Sequence, residues 1–591
     1  MLTTSRQEAV AGTDPEEAGS RTRYRLTVVT VVLVVAAFGV LIYQRRWISD
    51  DGLIVVREVR EILAGNGPNY NPFQRDEVDT SPLWTWLLAA FAVVFRFDVA
   101  VDAVVLGWLC SVIGLAVALA GSARFHRLRG TRGQLVPAGA LVPLGVAAFW
   151  DFGTSGLENG LSMLWLGTVW WLAVAVTDGG SRRGFAAVAI VLGLGPLVRP
   201  DFTLATIVFG IALLMIARPG WRRGLACCAA ACVLPVGYEI FRMGYYGLTV
   251  PMPALAKEAS DVLWAQGLTY LDDFFATYQL WIPLALICVA GARALGRYGV
   301  DRRTAILICA PIVSGVLLGG YVARVGGDYM HGRMWLPVVF VLLLPVMLIP
   351  IGRKRVAESI GVAGLVIWAL MAGLAARTPY HGMEFGPNGV TNERSYEVAA
   401  FSNAHPTTTA SRTVGNGLKP ELARLTAGDN RPLAISGGVT ASGPLWVMPL
   451  STALPDHSAF FYNNMGIADA AMPVDGTVID VNGLATPLAG HLQLTQHGRP
   501  GHEKWLPVAW VIASYAAPSA IATMPENHGA TRAQVLAARH ALSCGALKQM
   551  VTSVDQPMSI GRFWHNLTGA ITRTSMRVPA DPFAAQRQFC D

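Results

Sequence analysis

The chain has 591 residues, 53% hydrophobic and only 14% charged, with a formal net charge of +7. That balance excludes an ordinary soluble protein and points to a helical protein that crosses a membrane many times. The positive charge is not a nucleic-acid signal: the arginines lie mostly in short loops between apolar runs, where they set orientation, and neither a Gly-rich phosphate loop nor an RNA-binding signature stands out.

Residues 1–24 are polar and are expected to form a disordered cytoplasmic tail. The run 26–43 is longer than the apolar part of a signal peptide and ends in Gln44-Arg45-Arg46 without a small-residue cleavage site, so it reads as an uncleaved first span. The segment 45–98 follows and opens with Asp50 and Asp51 beside the membrane boundary. Ionisable groups there are costly and are functional candidates by default. Further apolar runs cover 99–120, 135–149, 160–177, 185–198, 202–217, 225–246, 279–294, 304–322, 334–351 and 358–376.

Residues 82–97 decide the topology. Counted as a span, they place Arg124, Arg127, Arg129 and Arg132 outside and reverse every later loop. Counted as a helix at the outer surface, they leave 1–25, 121–134, 178–184, 218–224, 293–303 and 352–357 inside, and these hold 20 Lys and Arg. The positive-inside rule favours the second reading: 11 spans, N-terminus inside and C-terminus outside. The outer loops are then 45–98, 150–159, 199–201, 247–278 and 323–333, which carry most acidic residues of the membrane half.

After residue 376 the composition changes. Nine of the 11 histidines lie beyond it, and no apolar run reaches spanning length. Residues 377–591 are long enough for a core of their own and read as an outer domain of mixed α and β structure. GTVIDVNG and LPVAWVIASY look like strands, and TRAQVLAARHALSCGALKQMVTSV looks helical. Six of the eight cysteines lie in apolar runs. Cys544 and Cys590 stand alone in the polar part, which suggests a disulfide and an oxidising compartment, with two free thiols as the alternative.

Several groups could carry chemistry. Asp50 and Asp51 repel each other, so one should be raised in pKa, or both should meet a cation or sugar hydroxyls. The alternative is a helix cap, because Ser49-Asp50-Asp51 precedes the helical pattern GLIVVREVREIL. Arg199, Lys257, Arg324, His331 and Arg333 form a basic outer group suited to a phosphate, or else to interfacial anchoring. Glu158 in TSGLEN is a sugar-ligand candidate or a helix-dipole partner. Trp47, Tyr70, Trp84 and Trp86 could stack on sugars or serve as belt aromatics. Two loops of the outer domain, PGHEK and FFYNN, could bind glycan or be plain surface. No His/Cys spacing indicates zinc, and no GxSxG-type nucleophile motif is present.

ISDDGLI, R-x-x-R, GNGPNYNP, DTSPLW, TSGLEN, ALAKE and GGDYMHGR together resemble bacterial GT-C glycosyltransferases, polytopic enzymes that use polyprenyl-phosphate sugars. YNNMG, VNGLATPLA and PGHEK resemble the terminal β-(1→2)-arabinofuranosyltransferase family of mycobacterial and corynebacterial cell walls. The resemblance covers roughly 45–591. It implies a GT-C-like membrane domain over 25–376, whose first outer loop (45–98) carries the catalytic acid and juxtamembrane helices. It further implies a periplasmic, carbohydrate-binding domain over 377–591 and a plasma-membrane location. The implied donor is decaprenyl-phosphate-linked arabinose, and the implied acceptors are the arabinan ends of arabinogalactan and lipoarabinomannan. Asp50 and Asp51 would be catalytic; Lys257, Arg324, His331, Arg333 and Arg199 would meet the donor phosphate; Glu158, Asp328, Thr80, Trp84 and Tyr70 would meet sugar or acceptor. No cofactor is implied firmly, and a divalent cation is left open. A β donor giving a β product retains configuration, which a single in-line attack would not. Two readings compete: a GT-C enzyme moving mannose or making another arabinan linkage, and a transporter of a lipid-linked glycan. The gathering of charge in outer loops rather than at mid-membrane favours an enzyme.

Overall fold

The computed structural model describes residues 15–131, 133–177, 185–297, 299–413, 418–427, 429–436, 445–525 and 529–591. The inner loop 178–184, residues 1–14 of the expected tail and Arg132 lie outside these. The first helix, Pro15–Gln44, begins upstream of the expected boundary, so residues 15–24 continue the helix rather than forming a disordered tail.

The chain is a polytopic helical membrane protein. Among the described residues, seven helices are long and apolar enough to cross a bilayer: Thr22–Gln44, Val99–Leu128, Asn159–Thr177, Pro200–Ala217, Trp221–Tyr245, Arg302–Arg324 and Val356–Ala375. Trp264–Tyr278 and Trp281–Gly296 meet at a bend of 79°. The apolar runs at 135–149, 185–198 and 334–351 are not continuous helices. The first is a short strand, Gln134–Val136, followed by Leu141–Gly145 and Ala147–Phe152. The second divides into Phe185–Gly193 and Gly195–Val198. The third is Trp335–Leu343, a 3-10 turn, and the strand Ile349–Ile351, which pairs antiparallel with Gln134–Val136. Prolines 137, 196, 345 and 350 fall at or near these breaks. Each removes a backbone donor and crowds the preceding turn, while the run stays apolar.

The disputed segment is the helix Pro82–Phe95, 14 residues long. At 1.5 Å per residue it reaches about 21 Å, short of a hydrocarbon core of about 30 Å. It buries Trp84, Leu88, Ala89 and Ala92 and exposes Trp86, Val93, Val94 and Phe95.

The C-terminal part holds a four-stranded sheet in the order Leu445–Pro449, Pro432–Ser436, Ala459–Tyr462, Thr477–Asp480; the first pair is antiparallel and the others parallel. Strand periodicity sends alternate side chains to opposite faces. Leu433, Ile435, Phe461 and Ile479 enter a core with Trp510, Val511, Ile512 and Val535. Ala434, Phe460, Tyr462 and Val478 pack instead against Ile54, Tyr70 and Val78 of the first outer loop. One face of the sheet is thereby fused to the loop that carries the acidic pair.

LPVAWVIASY is not a strand but the helix Val508–Tyr515. A short buried apolar run has no alternation to separate helix from strand, and Pro507 sits where it can start a helix. The TRAQ segment is two helices, Arg532–Leu542 with a Thr531/Gln534 capping box and Gly545–Asp555. A disulfide joins Cys544, between them, to Cys590 of the last helix, with 5.1 Å between Cα atoms.

Candidate functional site

The helix Asp50–Ala64 starts with the two aspartates but is not capped by them. Ser49 is the N-cap: its hydroxyl accepts from Gly52 N at 2.9 Å and donates to Ser155 O at 2.9 Å. The cap is thus supplied without either carboxylate, which frees both, and the positive end of the helix favours their negative charge. Gly52 is required by closeness: a Cβ there would stand 2.5 Å from Ser155 O. The TSGLEN turn is therefore pressed against the helix start.

Asp51 faces the membrane half. Its Oδ1 accepts from the Tyr329 hydroxyl at 3.1 Å, and its Oδ2 lies 3.7 Å from Arg333 Nη1. Arg333 also meets Asp328 at 3.2 Å and Glu158 at 3.5 Å. Arg199 continues the chain, 2.8 Å from Glu158 and 3.0 Å from Asp201. Burial alone would raise Glu158, but Arg333 and Arg199 outweigh it and hold the carboxyl below its usual value. The sequence-expected Asp51, Glu158, Arg199, Asp328 and Arg333 thus form one buried network.

Asp50 faces the C-terminal part. Its Oδ1 accepts from Gly466 N at 2.9 Å, within the YNNMG segment, and a Cβ on Gly466 would collide with it at 2.2 Å. The Asp50 backbone N donates to Glu393 Oε1 at 3.2 Å. Arg412 is fully enclosed, ion-paired with Glu397 and donating to Ile48 O. Desolvation pushes the Asp50 carboxyl up to about 6, with Asp51 adding to the shift and Arg412 opposing it. Desolvation, then Asp51 and Asp50, push Glu393 up to about 8.

Other expected residues are placed differently. Tyr70 and Trp84 are fully buried: the Tyr70 hydroxyl bonds Asp469, and Trp84 Nε1 donates to Gly156 O at 2.8 Å. Neither ring is presented to a sugar; both are spent on packing the outer loop. Thr80 is half-buried, beside Asp79, whose carboxylate accepts from Ser81 N and the Thr85 hydroxyl. His331 turns its Nδ1 to Asp273 at 2.6 Å, within reach of Tyr380. Arg324 donates to Ser260 O at 3.0 Å on an exposed surface. Neither joins the network around Asp51. In PGHEK, Lys504 is buried in an ion pair with Glu258 at 2.7 Å rather than lying on a surface loop.

Glu393, Arg412, Tyr329, Arg499 and His502 complete the site. The Arg499 guanidinium lies 4.4 Å from the Tyr329 ring centre and 4.8 Å from that of Phe385. His502 stacks edge-on to Tyr329 at 5.1 Å, and burial with Arg499 nearby pushes its pKa down to about 3. Lys257 lies against Gly501. Lys257 and Arg499 have no carboxylate partner among the described residues, unlike Arg199 and Arg333. Of these additions Tyr329 and His502 had a local signal, the GGDYMHGR and PGHEK motifs. Glu393 and Arg412 are ordinary charges in sequence and gain meaning only by contact.

Among the described residues, the one His/Cys/Asp/Glu group close enough for a metal is His540, Cys544 and Cys590, whose two sulfurs are already bonded to each other.

A family model described as the AftB family C-terminal domain matches residues 451–588, which include Gly466, Arg499 and His502. A Mycobacterium tuberculosis protein named terminal beta-(1->2)-arabinofuranosyltransferase is 36% identical, over 94% of this chain and 95% of its own length. A protein of the same name from Corynebacterium glutamicum is 32% identical, over 92% of this chain and 86% of its own.

Proposed function

This chain belongs to the terminal β-(1→2)-arabinofuranosyltransferase family, and we propose that it moves arabinofuranose from decaprenylphosphoryl-arabinofuranose to the non-reducing ends of cell-wall arabinan. The reaction would run at the outer, periplasmic face of the plasma membrane, with residues 377–591 forming an outer domain that closes over the acceptor. The observation that carries this reading is the acidic pair, released from capping by Ser49 and clasped from two sides: Asp51 by Tyr329 and Arg333, Asp50 by Gly466.

The chemistry divides between the two carboxylates. Asp51, held by a hydroxyl and a guanidinium, supplies the negative charge that the developing positive sugar centre needs. Asp50, with its raised pKa, suits the acceptance of a proton from the acceptor hydroxyl near neutral pH. Retention asks for two successive displacements or for departure and attack on one face, and Asp51 can serve either as nucleophile or as counter-charge.

The donor phosphate needs cations whose charge is not already spent. Arg199 and Arg333 are neutralised by carboxylates, so Lys257 and Arg499 are the better pair for a phosphodiester. Purified protein in nanodiscs, supplied with polyprenyl-phosphoryl arabinofuranose and a synthetic arabinan acceptor, tests the reading. A new β-(1→2) linkage by NMR is expected. No transfer, or transfer of a different sugar or linkage, overturns it.

A further inference from the structure

The helix Ile560–Ser575 has its polarity reversed for a soluble domain. Two of its polar residues face protein: Asn566 Nδ2 donates to Ser553 O at 3.0 Å, and Arg573 Nε donates to Gly247 O at 3.0 Å. Its large apolar residues face out: Ile560 is 82% exposed, Trp564 59% and Ile571 69%. These three fall on one helical face, with Thr568 between them and Met558 just before. The helix carries no acidic residue; its charges are Arg562 and Arg573, with His565 beside them.

Its seat explains the reversal. It packs on the outer end of the apolar helix Trp221–Tyr245: the Phe563 ring occupies the space that a Cβ on Gly244 would need, and the Thr574 hydroxyl bonds Thr249 N at 2.9 Å. Trp221–Tyr245 exposes Leu225, Val233, Val236 and Ile240, and none of its most apolar 18-residue window is buried. In its last turns Arg242 pairs with both Glu239 and Glu77, as expected where a span leaves the hydrocarbon. The outward face of Ile560–Ser575 therefore adjoins the exposed apolar surface of a helix long and apolar enough to cross a membrane.

We infer that Ile560–Ser575 is an interfacial helix, whose Ile560, Trp564 and Ile571 insert into the outer leaflet of the bilayer. Such helices bury their apolar face about 5–10 Å into the headgroup boundary. Tryptophan favours that level, and basic residues suit anionic headgroups. The insertion ties the C-terminal part to the membrane surface, and with it the segment that presents Gly466 to Asp50.

The test uses the full chain in nanodiscs, with an environment-sensitive fluorescent amino acid in place of Trp564, of Ile571 or of the exposed Arg532 as control. Lipids bearing a nitroxide near the top of the acyl chain should remove most of the emission at 564 and 571 and little at 532. Equal, weak quenching at all three positions overturns the inference. A blue-shifted emission at 564 that lipid nitroxide does not quench also overturns it, and would point to a protein partner on this face. Since all three side chains are exposed, Ile560→Ser/Trp564→Ser/Ile571→Ser should fold as the parent does in detergent. In nanodiscs, hydrogen exchange of the 560–575 amides should be faster in this variant; exchange equal to the parent's overturns the inference.

Discussion

The two sides of the acidic pair differ in how their charge is spent. On the membrane side, Asp51, Asp328, Glu158 and Asp201 share Arg333 and Arg199, so that every one of these charges has an ion-pair partner. On the outer side, Asp50 and Glu393 are crowded carboxylates with raised pKa values, and Lys257 and Arg499 lack carboxylate partners among the described residues. A satisfied network fixes geometry, because removing one member leaves another charge buried and alone. An unsatisfied one is poised to take up protons or an anion. We propose that the membrane side is a scaffold that holds Asp51 in place and that Asp51 itself works with Asp50 and the outer side; each of the following measurements tests that division.

The largest effect is expected at the pair itself. Asp51→Asn and Asp50→Asn should each lower turnover by about 10²–10⁴-fold, with expression and thermal stability near those of the parent, because Ser49 keeps the cap. Near-parental turnover in both single variants and in the double variant would place the chemistry elsewhere.

Arg333→Ala should destabilise the protein by about 3–5 kcal/mol, since it strands Asp328 in the interior and leaves Glu158 with Arg199 alone. Arg499→Ala should leave stability almost unchanged and raise KM for the donor about tenfold, a loss of about 1.4 kcal/mol of binding. Thermal melts and donor kinetics on both variants sharpen the contrast; equal loss of stability in the two would erase it.

The disulfide lies far from this contrast. Cys544→Ser/Cys590→Ser should cost about 3–4 kcal/mol by the loop-entropy argument, read as a lower Tm with donor KM unchanged. A changed KM would tie the disulfide to the working face.

The smallest and sharpest test is pH. Asp50 must be ionised to accept a proton, so activity should rise through about 6; Glu393, if it works as the neutral acid, should give a fall through about 8. Glu393→Gln should abolish the falling limb and leave the rising limb near 6, because Glu393 is already neutral where Asp50 titrates. Both carboxyls bind protons more tightly folded than unfolded. They therefore favour the folded state at low pH, and that contribution is lost as pH rises from about 4 to about 8. A flat profile between pH 5 and 9 would show that neither group titrates in the reaction.

Much of the membrane half was legible in order. Long apolar runs with basic inner flanks are a property of composition along the chain, and seven of them became continuous helices. The runs at 135–149, 185–198 and 334–351 misled because hydropathy does not register the prolines that break them. LPVAWVIASY misled because five consecutive buried residues in a helix of eight carry no periodicity. In the candidate site, Asp51, Glu158, Arg199, Asp328 and Arg333 were legible because each sits in a loop beside an apolar run, where charge is costly. Tyr70 and Trp84 were legible as aromatics but not as buried ones, since burial depends on what the sheet brings against them.

By itself the sequence determined that this is a multi-span helical protein with an acidic pair at its first loop, because hydropathy, loop charge and motif spacing are local quantities. Only the tertiary structure decided that Ser49 and not an aspartate caps the helix, that Gly466 meets Asp50 across more than 400 residues, and that Glu393 and Arg412 share the site. Those facts follow from one face of the C-terminal sheet burying itself on the first outer loop. Such packing depends on the shapes of two distant surfaces, and no window along the chain contains both.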